Sequence, residues 1–376
     1  MDVWSDLIGQ ERAVAELKRA LAGGPHAMTH AWLITGPPGS GRSNAARAFA
    51  AALQCDNGGC GECKSCRTSL AGSHPDVTLV RTETLTIGVD EVRELAMKAA
   101  MSPSVGKRQI IVVEDADRIT DRGADALLKS LEEPAPRTVW LLCAPSAEDV
   151  IVTIRSRCRH LGLVTPSTQA ICELLQRRDG IDPKLAEWAA RVSGGHVGKA
   201  RGLALDPQAR AWRDEVLELP GKLRSVAACL TLADGIIKKT KERADATSKP
   251  LDDKETEALK EALGAGTKGA KPRSLNAALK DLEDQQKLRN KRLQRDAIDQ
   301  VLIDLTGYYR DVLKVQTGAG GALVNEEQRP AISALAESSN ADDTLAKIDA
   351  LAQCHRSLGF NASPGLAFQA LLLTLR

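Results

Sequence analysis

The sequence predicts an α/β domain, with a parallel sheet covered by helices on both faces, followed by a helical lid and an all-helical C-terminal domain. Three observations support this prediction. A strand, a glycine-rich loop and a helix follow one another over residues 31–53. Short apolar runs then alternate with helical patterns as far as residue 164, which is typical of a parallel sheet. From about residue 206 onward the sequence shows only helical periodicity.

Length and composition limit the classes of protein to which the chain can belong. With 376 residues it is too long for one compact core, so more than one domain is expected. Aromatic residues make up only 3% of the chain, so its cores must be aliphatic. A net charge of +2 excludes a strongly basic protein and confines any nucleic-acid contact to a local patch. The sequence lacks the pattern of a signal peptide or of a membrane span, so no membrane partner is expected.

The first chemical motif is the loop that follows the apolar run at 32–34. Its spacing is that of a phosphate-binding loop, G-x-x-x-x-G-K-[ST], except that arginine stands at the lysine position. The backbone N–H groups of such a loop and the N-terminus of the next helix attract phosphate, and the final serine keeps the hydroxyl that would reach Mg²⁺. The residues of this candidate nucleotide site are Gly36, Pro37, Pro38, Gly39, Ser40, Gly41, Arg42 and Ser43.

Four cysteines form the second motif. They are Cys55, Cys60, Cys63 and Cys66, separated in part by glycines that allow tight turns. Four thiolates at this spacing match one tetrahedral Zn²⁺, and the alternative is a set of merely buried or reactive thiols. Because four ligands already close a tetrahedral site, a structural zinc ion is predicted. Cysteine usage of this kind also favours a reducing cytosol over disulfide formation.

Two acidic residues follow the most apolar strand of the predicted sheet. The run Gln109–Val113 ends in Glu114 and Asp115. In proteins with a phosphate-binding loop, acids at such a strand end hold Mg²⁺ and the attacking water. Both residues are therefore candidate catalytic groups.

The other elements of the first domain follow from local patterns. Those predicted up to residue 164 are a helix with Val14, Leu17 and Leu21 on one face, a strand Val77–Val80 after His74-Pro75-Asp76, a helix opened by Asp90 as N-cap, a helix through Leu127–Pro134, a strand Val139–Cys143 and a closing strand Leu161–Val164.

The remainder of the chain is predicted to be helical. A break at Thr165-Pro166 precedes a small helical segment that ends near residue 205. Within the C-terminal part, six residues fall at three- and four-residue steps and define one apolar helix face: Ile298, Val301, Leu302, Leu305, Tyr309 and Val312. The polar stretch 244–274 contains prolines and glycines and is predicted to be a loop-rich insertion. The stretch 285–295 carries five basic and no acidic residues, which is typical of the solvated face of a long helix or, less favoured, of a DNA-facing patch.

Taken together, these motifs resemble the bacterial AAA+ clamp-loader family. The matching segments are Gly9-Gln10-Glu11, the phosphate-binding loop, the four-cysteine insert, His74-Pro75-Asp76, Gly88-Val89-Asp90, Leu127–Pro134 and Ser156-Arg157-Cys158. The resemblance implies an AAA+ base at 1–164, a helical lid at 165–205 and a helical collar for oligomerisation at 206–376. It also implies partners: other clamp-loader subunits in a five-membered assembly, a sliding clamp, and primer-template DNA reached through that assembly.

Four departures from the family pattern concern the nucleotide site. Where the ATP-hydrolysing members carry lysine, Asp-Glu, a polar sensor residue and a lid arginine, this sequence has Arg42, Glu114-Asp115, Cys143-Ala144 and Gly198. A displacement of a catalytic group by about 1 Å can cost on the order of 100-fold in rate. We therefore expect ATP or ADP with Mg²⁺ to bind weakly and to be hydrolysed slowly or not at all. The alternative is that these are harmless variations in an active ATPase.

The resemblance assigns a further role to Arg157, as an arginine finger that acts on the ATP of a neighbouring subunit. An ion pair within its own domain is the alternative for this residue, although Arg155 suits that role better. The favoured function is that of a non-hydrolysing clamp-loader subunit that completes its neighbour's ATP site. An ATP-hydrolysing clamp-loader subunit and a DNA-binding adaptor using residues 287–295 are the two alternatives.

Overall fold

The computed structural model describes residues 2–23, 27–82, 86–262, 273–360 and 362–376. The chain divides into two compact units, Met1–Leu205 and Asp206–Arg376. Among the helices of these ranges, none is long and apolar enough to cross a membrane.

The first unit is built on a five-stranded parallel sheet. Its strands are β1 (Ala31–Thr35), β2 (Val77–Val80), β3 (Gln109–Val113), β4 (Thr138–Ala144) and β5 (Arg159–Gly162). Their order in the sheet is β2-β3-β4-β1-β5, and every neighbouring pair is parallel. The predicted strands are therefore confirmed, but the closing strand begins and ends two residues earlier than predicted. Past the end of β5, the N–H of Val164 bonds to the side chain of Gln10.

Helices cover both faces of the sheet, as predicted. The helices of this unit are α1 (Glu11–Leu21), α2 (Arg42–Gln54), α3 (Lys64–Ala71), α4 (Val89–Ala99), α5 (Asp121–Glu132), α6 (Val152–Arg155), α7 (Thr168–Asp179), α8 (Pro183–Val192) and α9 (Val197–Leu205). Alternate strand residues belong to two separate apolar clusters, since successive side chains of a strand point to opposite faces. Trp32 packs with α1 and α2 on one face, whereas Trp140 packs with α4 and α5 on the other.

The predicted N-cap of α4 is wrong by two residues. Helix α4 begins at Val89 after Gly88, which is its N-cap, and Asp90 lies in its first turn beside Arg93. The acidic side chain therefore stabilises the helix dipole from within the turn rather than capping the helix.

The second unit is entirely helical in the part of the chain described. Its helices are α10 (Pro207–Leu217), α11 (Leu219–Lys222), α12 (Val226–Ala262), α13 (Arg273–Gln316), α14 (Arg329–Ser338), α15 (Ala341–Gly359) and α16 (Pro364–Leu375). All six residues of the predicted apolar face, from Ile298 to Val312, are buried in its core.

The predicted loop-rich insertion at 244–274 is wrong over most of its length. Residues 244–262 continue α12, and 273–274 belong to α13, while 263–272 lie outside the described residues. Bonds to the neighbouring helix explain why a polar stretch containing Pro250 stays helical. Arg289 of α13 donates to Asp252 at 2.5 Å and to Glu255 at 2.5 and 2.9 Å, so ion pairs join this polar part of α12 to α13.

Candidate nucleotide cleft, metal centre and exposed arginine

The loop between β1 and α2 has the backbone of an anion site. Gly39 and Gly41 have φ values of +83° and +94°, which L-residues with a side chain rarely adopt. Helix α2 begins directly after Gly41, and no side chain caps its first turn. Its first N–H groups and the positive end of its dipole therefore face outward from the loop, where an anion is stabilised.

A cleft of about 430 Å³ lies in front of this loop, within the first unit. The lining residues are Asp6, Leu7, Ile8, Gly39, Ser40, Gly41, Arg42, Ser43, Asn44, Pro166, Arg178, His196, Val197, Gly198 and Arg201. The hydroxyl of Ser40 is buried and has no hydrogen-bond partner among the described residues. An unsatisfied buried hydroxyl beside open N–H groups is compatible with a bound phosphate.

The side chain of Arg42 is partly engaged within the loop. Its Nη1 donates to the carbonyl of Gly36, the first residue of the same loop. A lysine would present a compact ammonium here, whereas the guanidinium is a larger planar group with part of its donor capacity already used.

The acidic strand end is also engaged. Arg47, on α2, donates to the same carboxylate oxygen of Glu114 from Nε at 3.0 Å and from Nη2 at 2.6 Å. This carboxylate is 9% exposed. A carboxylate already paired with a guanidinium is less available to orient water or to ligate a metal ion, because a cation occupies it. Asp115 follows directly, and burial raises the pKa of the nearby Asp117 carboxyl.

The position expected for a polar sensor is apolar in character. Cys143 is completely buried in β4, and burial raises its pKa to about 12, so the thiol stays neutral. Ala144 ends the strand without a polar group. Gly198, in α9, lines the cleft but has no side chain to reach a phosphate.

Two residues hold the phosphate-binding loop against neighbouring elements. Neither had a role predicted from the sequence. His196 lies against the loop so closely that a Cβ on Gly39 would be 2.3 Å from its Cγ. Its Nδ1 accepts a bond from the N–H of Lys199, and burial lowers its pKa, so the ring is neutral. Gln10 donates to the carbonyls of Val164 and Ser40, at 2.7 and 3.3 Å, and thereby joins the loop to the end of the sheet. The Gly-Gln-Glu segment was the sequence signal for Gln10.

The four cysteines of the insert converge. All four Sγ atoms lie within 4.8 Å of one another, with Cys55 at 3.7 Å from Cys60 and 3.8 Å from Cys63. Tetrahedral Zn²⁺ with bonds of about 2.3 Å requires sulfur–sulfur distances of about 3.8 Å. The structure therefore contains a candidate metal site whose donors match zinc in type, number and spacing.

Backbone hydrogen bonds prepare these thiols for a cation. Burial opposes ionisation of Cys55, but N–H groups of Cys60, Gly59 and Asn57 lower its pKa to about 6. The N–H of Cys66 bonds to the sulfur of Cys63, which is the N-cap of α3. Burial raises the pKa of the Cys66 thiol, so a cation is needed to ionise the complete set.

Asp76 of the His-Pro-Asp segment has a structural role that the sequence did not indicate. Its two carboxylate oxygens accept bonds from the N–H groups of Ser104, Val105 and Gly106, at 2.6, 2.9 and 2.5 Å, and from the Ser104 hydroxyl at 2.8 Å. Burial raises its pKa, but these donors outweigh burial and hold the pKa at about 2. The ionised carboxylate therefore fixes the loop that leads into β3.

Arg157 lies just after α6 and pairs with its own domain. Its Nε donates to Glu132 at 2.8 Å, its Nη2 donates to the same carboxylate, and its Nη1 donates to the carbonyl of Thr153 at 2.8 Å. The Arg157 side chain is 34% exposed and that of Glu132 is 49% exposed. Arg155, which suited an internal ion pair better on sequence grounds, instead donates to the carbonyl of Ala147.

The basic stretch 285–295 is not a uniform positive surface. Arg289 is bonded to Asp252 and Glu255, and Lys287 pairs with Glu283 and Asp284. Neighbouring carboxylates therefore offset charges that a DNA-facing patch would direct at phosphate.

Comparisons with known proteins find family profiles and relatives that match large parts of this chain. Profiles described as DNA polymerase III, delta subunit, and DNA polymerase III, delta subunit, C terminal, match residues 9–167 and 273–376. The DNA polymerase III subunit delta' of Yersinia pestis is 30% identical over 335 residues, which cover 88% of this chain and 83% of that protein. The corresponding subunit of Pseudomonas aeruginosa is 37% identical over 180 residues, which cover 46% of this chain and 55% of that protein.

One further relative and one solved structure show lower sequence identity. The DNA polymerase III subunit tau of Bacillus subtilis is 25% identical over 99% of this chain and 61% of its own length. The chain thus spans between half and two thirds of the length of the Pseudomonas and Bacillus relatives. A gamma subunit-related protein of Thermotoga maritima, of known structure, is 17% identical, with a TM-score of 0.46 over 97% of this chain and 98% of that chain. On the Yersinia similarity, the chain belongs to the family of DNA polymerase III delta' subunits.

Proposed function

We propose that this chain is the delta-prime subunit of a DNA polymerase III clamp loader. In this role it assembles with gamma/tau and delta subunits into a pentamer that places a sliding clamp on primed DNA during replication, in the cytoplasm. The proposal rests on family membership. Its specific part, that the chain is a stator-like subunit without ATP turnover of its own, is carried by the ion pair of Arg47 with Glu114.

The candidate nucleotide cleft has groups suited to binding phosphate, but its candidate catalytic carboxylate is already paired. The open N–H groups of the loop and the orphaned hydroxyl of Ser40 would hold nucleotide phosphates, and Ser43 would face the Mg²⁺ that neutralises their charge. Hydrolysis additionally requires a carboxylate free to orient water, and Glu114 is already paired. We therefore expect the chain to bind ATP or ADP weakly and not to hydrolyse ATP.

Arg157 would act on the ATP of the adjacent subunit. A guanidinium at the surface keeps its charge at all relevant pH values and pairs bidentately with phosphate oxygens. An arginine supplied across an interface is worth roughly 10³–10⁵ in phosphoryl-transfer rate in GTPases. In the isolated chain Glu132 occupies this guanidinium, so the proposed function requires the neighbour's phosphates to replace Glu132.

The cysteine site would hold one structural Zn²⁺. Cys55, Cys60, Cys63 and Cys66 would supply all four bonds, which leaves no open position for catalysis. The ion would fix the insert between α2 and α3.

An ATP-hydrolysing gamma/tau-like subunit is the second candidate, because the Bacillus tau alignment runs over 99% of this chain. A DNA-binding adaptor is less favoured, since Arg289 and Lys287 are paired with acids.

The Arg42→Ala variant, tested in a reconstituted clamp loader, distinguishes between these candidate functions. If the chain does not hydrolyse ATP, clamp loading should stay mostly intact, and the isolated wild-type chain should show no ATPase activity above background. A loss of clamp loading with the assembly still whole would instead identify the chain as an active ATPase. Salt-sensitive DNA binding by the isolated chain would favour the adaptor.

A further inference from the structure

We infer that residues 2–8 couple the cysteine insert to the nucleotide cleft, so that Zn²⁺ bound by the four thiols raises the affinity of the cleft for ATP and ADP. The inference rests on the proposed nucleotide and zinc sites. It adds a dependence of one site on the other, carried by a short segment that contacts both the insert and the cleft.

One end of this segment is held against the insert. The N–H of Val3 donates to the carbonyl of Gly59 at 3.0 Å, and Gly59 directly precedes Cys60. The approach is close, since a Cβ on Gly59 would lie 2.6 Å from Cγ2 of Val3 and 3.4 Å from Nε1 of Trp4. Val3 and Trp4 are both buried in the apolar cluster that contains two of the four cysteines. A displacement of the insert would therefore move the segment.

The other end of the segment forms part of the wall of the nucleotide cleft. Asp6, Leu7 and Ile8 line the cleft together with Gly39 of the phosphate-binding loop. The N–H of Leu7 donates to the carbonyl of Trp4 at 3.0 Å, which closes a turn between the two ends. The contact with the insert and the wall of the cleft therefore belong to one short, hydrogen-bonded stretch of backbone.

A second cavity beside the segment leaves it room to shift. This cavity, of about 370 Å³, is lined in part by Val3 and Leu7 of the segment and by Gly61 of the insert. A space of this size has room for several water molecules, so packing is loose on that side of the segment. The lid also holds the segment, because Arg177 donates to the carbonyl of Ser5 at 2.8 Å. An insert ordered by a metal ion would keep the cleft wall in place, and a metal-free insert would release it.

Equilibrium binding of ATP to the full chain, either loaded with zinc or stripped of it by a chelator, tests the inference. Metal removal should weaken ATP binding by at least about fivefold, and reloading should restore it. Because coupling is reciprocal, saturating ATP should raise the affinity for zinc by the same factor. Amide hydrogen exchange within residues 2–8 should accelerate in the metal-free chain, whereas exchange in β3 should stay slow.

The Val3→Ala variant tests the link without changing any of the four thiols. It removes the Cγ2 atom that approaches Gly59. With zinc bound, the variant should bind ATP at least about threefold more weakly than the wild type, and metal removal should then change its affinity by less than about twofold. Val77→Ala is the matched control, because Val77 is buried in the same cluster but lies in β2, outside the cleft lining. It should keep the wild-type affinity and the full effect of the metal.

The outcomes separate this inference from the sites on which it rests. If the ATP affinity is the same with and without zinc, or if zinc-loaded Val3→Ala binds ATP like the wild type, the inference is overturned and the nucleotide site stands. If metal removal also abolishes the slow exchange of β3, the zinc-loaded Val3→Ala variant decides alone. If the wild-type chain holds no zinc, or does not bind ATP at millimolar concentration, the corresponding site fails and the inference fails with it.

Discussion

The guanidinium of Arg157 forms an ion pair with Glu132, the last residue of α5. The two residues come from Leu127–Pro134 and Ser156-Arg157-Cys158, which are separate motifs of the sequence but parts of one contact in the structure. Because the pair is partly exposed, it contributes little to folding, about 0–1 kcal/mol. In the proposed role of Arg157, this weak pair would exchange for the phosphates of the neighbouring subunit.

Replacing Glu132 by Gln should leave both folding and the loader's function intact. The free energy of unfolding should change by less than about 1 kcal/mol, since the pair is partly exposed. The clamp- and DNA-stimulated ATPase rate of a reconstituted loader should not fall by more than about twofold, because in the proposed role of Arg157 the Glu132 carboxylate would only compete with phosphate for the guanidinium. Glu133→Gln is the matched control. A rate reduced by an order of magnitude in Glu132→Gln alone would show that the carboxylate positions the arginine for catalysis.

Replacing Cys63 by Ser should remove the metal and destabilise the first unit. Elemental analysis of the purified wild-type chain should give about one zinc per chain, and the variant should contain much less, because a tetrahedral site needs all four donors. Cys172→Ser, on α7 and outside the cluster, should retain the metal. A wild-type chain that is stable without zinc would contradict the prediction.

Replacing Asp76 by Asn should destabilise the chain in a pH-dependent way. The pKa of Asp76 is held at about 2 in the folded chain, against about 4 when unfolded. Its stabilisation, about 2 kcal/mol, is therefore complete above pH 5 and is lost as the pH falls from about 4 to 2.

Denaturant unfolding of wild type and Asp76→Asn at several pH values measures this difference. The two free energies of unfolding should differ at pH 7 and converge as the pH falls towards 2. Asp90→Asn, which changes an exposed carboxylate, should lower the free energy of unfolding by less than about 1 kcal/mol at any pH. A difference for Asp76→Asn that is the same at every pH would rule out its ionised form as the cause.

Sequence patterns correctly predicted the features that depend on residues close together in the chain. The strand Gln109–Val113 is an unbroken apolar run, and the glycines of the phosphate-binding loop stand at fixed spacing before a helix. The four cysteines likewise lie close together in the chain and converge over one short insert. Each of these features is encoded within about a dozen residues.

Features that depend on distant residues could not be predicted in this way. The helix at 244–262 depends on ion pairs with Arg289, more than 30 residues later, so its polar sequence alone resembled a loop. The pairing of Arg47 with Glu114 joins residues 67 positions apart. The contact of His196 with Gly39 similarly depends on how α9 packs against the loop.

Arg157→Ala in a reconstituted clamp loader tests the central proposal most directly. The clamp- and DNA-stimulated ATPase rate should fall by at least tenfold although every ATP-hydrolysing subunit is wild type, because the neighbour's γ-phosphate loses a guanidinium supplied in trans. Assembly and zinc content should stay normal. Arg155→Ala is the control, because the Arg155 side chain donates to the Ala147 carbonyl within its own domain. Unchanged rates of ATP hydrolysis and clamp loading in Arg157→Ala would contradict the proposal.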